Sequence, residues 1–356
     1  MKLPAFLKKS ITGAASFSRD SPLFCNTKID KTLLLHNVLL KGLVIKMQKS
    51  LSKKKSYWSK QFKKEIPFLL MLLPAFVIVL IYAYGPMVGI AMAFQNFRIA
   101  DGVFGSDFTG LDNFRTLFAM PDFWPVIRNT LFIALGKMIG GIVVPVGFAL
   151  LLNEIRHMGF KKSIQTMVYL PNFLSWVILA SIFIDILSPS QGVVNHLLGL
   201  VGIEPIFFLG DTTWFPITMI ITEIWRMFGF GAIIYLAALT GIDPTLYEAA
   251  QIDGANRIKQ TLHITLPGIL TTIVLMTVLS MAGVLDGGFD QIFNMYNPAV
   301  METGDILDTL IFRLGFQGNP QWALSTAANL FRSVVSMIFV VASYILADKL
   351  VGYRIF

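Results

Sequence analysis

Apolar residues in this chain are gathered into long blocks. Residues 66–94 contain no charged side chain, and further apolar blocks lie at about Val126–Leu152, Ser163–Leu187, Trp214–Thr240, Leu266–Leu285 and Ala327–Ala347. Each block is about twenty residues or longer, the length that carries a helix across a hydrocarbon layer of roughly 30 Å. Lipid offers no partner to a backbone N–H or C=O, so a spanning segment of this kind must be helical. The pattern therefore predicts an all-α, polytopic membrane protein with six core transmembrane helices over residues 66–347. Pro67 and Pro74 sit early in the first block, and Gly85–Pro86 is expected to end or kink it.

The polar intervals have distinct characters. Gln95–Pro125 carries Asp101, Asp107, Asp112 and Asp122. Asn153–Lys162 is short and basic. A Gly- and Pro-containing loop holds Glu204 and Asp211. Gly241–Thr265 is polar, and Asp286–Gln321 is long and acidic. A basic segment, 1–65, precedes the first block, and 348–356 forms a tail. Within the basic segment, Lys31–Met47 is apolar but interrupted by Lys41 and Lys46. It reads as a disordered tail or as an amphipathic helix on the membrane surface. Met47 opens a self-sufficient basic leader and is an alternative start, so 1–46 need not be translated.

Composition agrees with the blocks. The chain is 55% hydrophobic and only 14% charged, against about 25% charged in soluble domains. The single cysteine, Cys25, cannot form an intrachain disulfide. The four histidines are scattered, so no metal site and no cofactor are expected. Fifteen of the 29 Lys and Arg residues lie in 1–65. A basic segment ahead of a spanning helix is a topology signal and not a nucleic-acid patch. Arg156, Lys161, Lys162, Arg257, Lys259, Lys349 and Arg354 fall on the same side once six spans are threaded. That side is then the cytoplasm, with both termini in it, and Gly241–Thr265 faces it as well.

Gly241–Thr265 is the most informative interval. Asp243 is a good N-cap and Pro244 fits the first helical position, which predicts a short helix from Pro244 to about Ile252. Gly254 is suited to turn the chain, because glycine accepts positive φ. A second helical stretch, about Asn256–His263, should lead to Pro267 at the mouth of the fifth span. The small residues Ala249, Ala250 and Ala255 leave room for another protein, and Glu248 offers it one charge.

Glu248-Ala249-Ala250, three residues, Gly254, nine residues, then Ile264-x-Leu266-Pro267 resembles the EAA loop of permease subunits of type I ABC importers. Asp253 and Ala255 agree with the sugar-importing branch. The aromatic often found at the position of Thr261 is missing. Gly110–Phe114 with Asn129-Thr130, Leu170–Phe173 with Ser175-Trp176, Phe289–Pro298 and Gly304–Thr309 extend the resemblance over roughly 60–356. They point toward the polysaccharide and oligosaccharide branch, which includes importers of alginate and pectin fragments. The resemblance implies a chain that forms half of a pathway for a sugar or oligosaccharide, an acidic one being one option. It also implies a second permease subunit in a heterodimer, two cytoplasmic ATPases and an extracellular solute-binding lipoprotein. Glu248, Ala249, Ala250, Asp253, Gly254, Leu266 and Pro267 would form the ATPase-coupling site. The chain has no G-x-x-x-x-G-K-[ST] pattern, so the nucleotide site is expected on another polypeptide and the chain itself is not expected to be an enzyme.

Three charges fall deep within spans: Lys137 in the second, and Glu223 and Arg226 in the fourth. A lone charge at mid-membrane costs at least ~2.5–3.5 kcal/mol, so each should face protein or water. Glu223 and Arg226 are three apart and can pair. They read either as a buried ion pair that fixes helix packing or as part of a sugar path. Trp176, Trp225 and Tyr235 are candidates for stacking on pyranose faces, whereas Trp214 and Trp322 fit an ordinary interfacial role. Gly140-Gly141, Gly229 and Gly231 read as sites of close helix packing. A proton-coupled carrier using Glu223 or Asp185 would need an internal inverted repeat, and none is evident. An intramembrane enzyme would need paired catalytic groups at depth, and Asp185 stands alone.

Overall fold

In a computed structural model of the chain, residues 64–351 are described, with the side chains of 350 and 351 excepted. Most of the basic segment expected over 1–65, with its Lys31–Met47 stretch and Cys25, lies outside the described residues, as does the end of the 348–356 tail. The chain divides into two compact units at Ala83/Tyr84. The described part of the first, residues 64–83, is exposed throughout and carries no charge after Glu65.

Among the described residues, five helices are long and apolar enough to cross a membrane. They are α1 (Lys64–Phe94), α2 (Phe123–Asn153), α5 (Trp214–Leu239), α7 (Arg257–Gly283) and α10 (Trp322–Val351). At the expected Gly85–Pro86 position, α1 changes character: it widens to π turns over Leu80–Tyr84 and tightens to 3-10 turns over Gly85–Phe94. Pro86 lacks the N–H that would continue a regular ladder.

The third span corrects the simple expectation of one helix over Ser163–Leu187. There α3 (Met158–Tyr169) runs into a 3-10 turn at Leu170–Phe173, and α4 (Trp176–Ile186) then leaves at 105°. Leu174 and Ser175 are extended, with ψ of 137° and 152°, and this breaks the helix. Pro171 fixes its own φ and supplies no donor, so the break falls beside it. Counted as one bent span, the pair brings the total to six.

The packing of α2 on α5 relies on missing side chains. A Cβ on Gly140 would lie 2.0 Å from Ile224 Cδ1. The same device seats α3 on α5: a Cβ on Gly229 would lie 2.4 Å from the carbonyl oxygen of Val168. Lipid tails are as apolar as leucine, so such close approach supplies the attraction that water would otherwise provide.

Between the last two spans, α8 (Phe289–Met295) and α9 (Leu307–Phe316) fold back onto the bundle. Asn129 and Thr130 of α2 hold this segment. Asn129 Nδ2 donates to the carbonyls of Glu302 at 2.8 Å and Asp305 at 3.3 Å, and Thr130 Oγ1 accepts from Leu307 N at 2.8 Å. Asp305 in turn grips Arg313 with both oxygens, at 3.2 and 2.7 Å. Phe215, Met219, Ile133, Ile292 and Ile306 fill the core beside it.

Candidate functional site

Four helices and the elbow at the start of α8 (Asp286–Gln291) line an open-sided cavity of about 660 Å³. Its wall includes Lys137 and Gly141 of α2, Glu223, Arg226 and Tyr235 of α5, and Met276 and Ser280 of α7. Trp176 of α4 and Asp286, Phe289, Asp290 and Gln291 of the elbow complete it. The three intramembrane charges picked out in the sequence therefore converge on one space, together with Trp176 and Tyr235. Trp225 does not join them: it is half-exposed and sets its ring edge-on against Phe183 at 5.5 Å.

Lys137 is the anchor of the site. Its ammonium donates to the Gly287 carbonyl at 2.6 Å and to Gln291 Oε1. Gln291 is fully buried and uses its amide nitrogen on α5, donating to Met219 O at 2.9 Å and Thr222 Oγ1 at 2.7 Å. One lysine thus ties α2 to the elbow, and one glutamine ties the elbow to α5. Gly288 makes this possible in two ways. Its φ is +85°, and a Cβ there would lie 2.7 Å from Lys137 Nζ. Asp286 stabilises the same turn by accepting from Gly288 N at 3.0 Å. Its other oxygen faces Arg332 of α10 at 3.6 Å.

Glu223 and Arg226 form the expected pair, but loosely. Their closest approach is 3.7 Å, beyond hydrogen-bond reach. The guanidinium carbon of Arg226 lies 5.2 Å from the centre of the Trp176 ring, within the range of a cation–π contact. Trp176 itself is only 8% exposed. It serves as a platform under Arg226 and offers little open face to a ring of sugar. Arg226 Nε is buried and has no hydrogen-bond partner.

The sequence reading did not single out Asp286, Asp290, Phe289 or Gln291 as site residues. The Phe289–Pro298 string was visible as a motif, but only the fold-back of α8 turns it toward Lys137, 154 residues away in the chain.

The interval between α5 and α7 takes the shape its residues predict. The helix α6 spans Pro244–Ile252, capped by Asp243, whose side chain accepts from Thr245 N at 2.9 Å. That hydrogen bond holds the Asp243 carboxyl below its ordinary range. Gly254 has φ +74°. Asn256 then caps the next turn by accepting from Lys259 N at 2.9 Å. The second stretch continues through a π segment, Thr261–Thr265, directly into the span at Leu266 and Pro267. Glu248 and Ala249 are exposed and Ala250 is half-buried. Leu246 and Ile252 are exposed apolar residues on the same short helix. Two contacts root the interval in the bundle: Tyr247 Oη with Thr265 Oγ1 at 3.0 Å, and an ion pair between Arg257 and Glu154 at the end of α2.

The comparisons with known proteins agree with this geometry. The model of the family described as "Binding-protein-dependent transport system inner membrane component" matches residues 141–352. The polygalacturonan/rhamnogalacturonan transport system permease protein YteP of Bacillus subtilis (strain 168) is 40% identical over 79% of this chain and 87% of its own length. Protein LplB of the same organism is 37% identical over 82% of this chain and 92% of its own. Among solved structures, a chain of a bacterial ABC transporter involved in the import of the acidic polysaccharide alginate superposes with a TM-score of 0.75. It is 38% identical and covers 82% of this chain and 98% of that one. The same kind of transporter, in complex with an alginate pentasaccharide-bound periplasmic protein, gives a TM-score of 0.76 at 38% identity, over 83% of this chain and 99% of that one. A membrane bundle with a capped helix between its fourth and fifth spans, matched by a family model across most of that bundle, has one reading: this chain belongs to the family of binding-protein-dependent transport system inner membrane components.

Proposed function

We propose that this chain forms half of the translocation pathway of an ATP-driven importer for a sugar or oligosaccharide, of the polysaccharide-derived kind its relatives carry. The observation that carries the reading is α6, a helix exposed along its outer side yet tied by Tyr247 to Thr265 of α7, whose first residue, Arg257, pairs in turn with Glu154 at the end of α2. A body that is free to be gripped and is also fixed to two spans can pass a push from a partner into the membrane.

In this reading Glu248, Ala249 and Ala250 meet a separate ATPase. Asp253 and Gly254 form the turn that keeps the second stretch in line, and Leu266 and Pro267 receive the motion at the start of α7. The ATP is bound and hydrolysed by the partner and not by this chain. Two ATPases, a second permease subunit in a heterodimer and an extracellular solute-binding lipoprotein complete the machine. The excess of Lys and Arg in 1–65 and beside α6 supports placing both termini, and α6 with them, in the cytoplasm. The mid-span cavity, mostly apolar but set with charged side chains, is the pathway portion contributed by this chain, and Lys137, Glu223 and Arg226 belong to it.

The test is reconstitution of the chain with its second permease, ATPase and binding protein in liposomes. Uptake should require ATP on the side where α6 lies. Glu248→Arg should reduce co-purification of the ATPase and abolish uptake while leaving the permease pair assembled. Normal ATP-driven uptake in that variant would defeat the assignment of α6.

A further inference from the structure

The elbow lies at the end of the cavity away from α6. The helix that leads to it, α7, starts beside α6 and runs 27 residues to Gly283, a length of about 40 Å at 1.5 Å per residue. On that side of the cavity the bundle is solid. Phe215 and Met219, in the first two turns of α5, pack with Ile292 and Ile306, and all four are fully buried. A solute crossing the bundle must therefore displace the elbow. A cluster of three charges holds it in place. Arg332 of α10 pairs with Asp308 at the start of α9 and faces Asp286 of the elbow at 3.6 Å. A Cβ on Gly287 would lie 2.8 Å from Ile306 Cδ1, so the elbow is seated directly against the start of α9. Two carboxylates thus share one guanidinium. Only 11% of the Asp308 side chain is exposed, and its Oδ2 is buried without a hydrogen-bond partner. The ionised cluster carries one uncompensated negative charge where water is scarce, and a single proton on Asp308 removes it. Asp286 is 55% exposed and belongs to the cavity wall, so water reaches the edge of the cluster.

We propose that Asp286, Asp308 and Arg332 form a proton-operated latch on the elbow: with a proton on Asp308 the cavity is held shut on the side away from α6, and loss of that proton frees the elbow to open. This rests on the pathway reading above and adds its regulation. Among the described residues, the other cations close to this cluster are already engaged. Arg313, on α9 itself, is committed to Asp305. From α2, Lys137 donates to Gly287 and Gln291, and Arg128 to Asn129. From α8, Asp290 brings only further negative charge to the cavity wall. Burial lifts the Asp308 carboxyl to about 6 from its ordinary 3.8; Arg332 opposes the rise and Asp286 adds to it. The closed form, in which Asp308 is buried, binds the proton more tightly than an open form in which water reaches the carboxyl. Acid therefore favours closure, and that preference is lost as pH rises through 6. A carboxyl that titrates near 6 when closed and near 3.8 when open shifts the opening equilibrium about tenfold between about pH 5 and about pH 8.

The experiment uses the assembled importer, with its ATPases, in lipid nanodiscs, where both faces meet the same pH. Hydrogen exchange of the α8 amides, corrected for the intrinsic pH dependence of exchange, reads how often the elbow opens. In wild type without nucleotide, opening should be about tenfold rarer at about pH 5 than at about pH 8. Asp308→Asn is neutral throughout. It should open as rarely at the higher pH as wild type does at the lower, with no change between them. Asp286→Asn keeps the pair of Asp308 with Arg332 and removes the competing carboxylate, so it should move the transition to lower pH. A wild type whose opening does not vary with pH overturns the latch, as does an Asp308→Asn protein that keeps the tenfold change. Should Asp308→Asn fail to assemble, an unmoved transition in Asp286→Asn overturns it equally. Magnesium ATP with orthovanadate, which traps the ATPases in their closed state, should strip protection from α8 in wild type at the higher pH. Unaltered protection under trapping overturns the pathway reading whatever the pH response, whereas loss of protection under trapping with no pH response overturns the latch alone.

Discussion

Replacing Gln291 with leucine isolates the polar node that joins two spanning helices, α2 and α5, to the elbow. Gln291 is fully buried. Its loss removes one hydrogen bond from the Lys137 ammonium and two donated by its own amide, to Met219 O and Thr222 Oγ1. A bond to a charged group is worth roughly 1.5–3 kcal/mol and a neutral one roughly 0.5–1.5 kcal/mol. Met219 O remains within a helix and Thr222 Oγ1 still donates to Thr218 O at 2.7 Å, so the neutral bonds count near the low end. The expected cost is about 2.5–4 kcal/mol, mostly because an ammonium is left short of an acceptor. Lys137→Met removes the charge itself. It strands the Gly287 and Gln291 acceptors but relieves a buried cation, and should cost only about 0–2 kcal/mol. The double variant should therefore be less damaged than the sum of the two by at least ~1.5 kcal/mol. Reversible unfolding of the detergent-solubilised protein in mixed micelles with added SDS, followed by circular dichroism, gives the four corners of the cycle. Additivity within about 0.5 kcal/mol would show that Lys137 and Gln291 do not depend on one another, and would refute the node.

Three further outcomes follow from other parts of the molecule. Gly254→Val forces a branched side chain into a left-handed conformation at φ +74°; a cost of at least ~1–2 kcal/mol is expected, and ATPase stimulation by loaded binding protein should drop although the spans stay folded. Reversing the exposed pair that links the interval to α2, as Arg257→Glu or as Glu154→Arg, should lower coupled uptake two- to fivefold with little change in melting temperature, since such pairs add only ~0–1 kcal/mol; the double reversal should restore uptake, and failure to do so removes the pair from the coupling route. Burial lifts the carboxyl of Asp308 to about 6 from its ordinary 3.8; Asp286 adds to the rise and Arg332 opposes it. Its contribution to stability is therefore complete below pH 3.8 and is lost as pH rises through 6. Asp308→Asn should flatten the pH dependence of the melting temperature across that interval, and an unchanged slope would contradict the assignment.

What the sequence determined by itself is local. Long runs with few or no charges leave helix as the only viable backbone in lipid, so the spans were legible, although α7 starts at Arg257, well before the expected Leu266. The helix α6 was equally legible, because Asp243, Pro244 and Gly254 act on their own backbone and need no distant partner. That Glu223 and Arg226 can pair was visible from their spacing of three; that they do so only loosely was not. Tertiary structure decided the remainder. The 105° break between α3 and α4 depends on Leu174 and Ser175 adopting extended backbone beside Pro171, which hydropathy does not register. Trp225 and Trp176 look alike in a sequence, yet one faces outward and the other lies beneath Arg226. The meeting of Lys137 with Gly287 and Gln291 joins residues about 150 positions apart. Periodicity fixes which face of a helix is apolar; it does not fix which distant carbonyl will answer a buried ammonium, because that depends on how the helices pack in three dimensions.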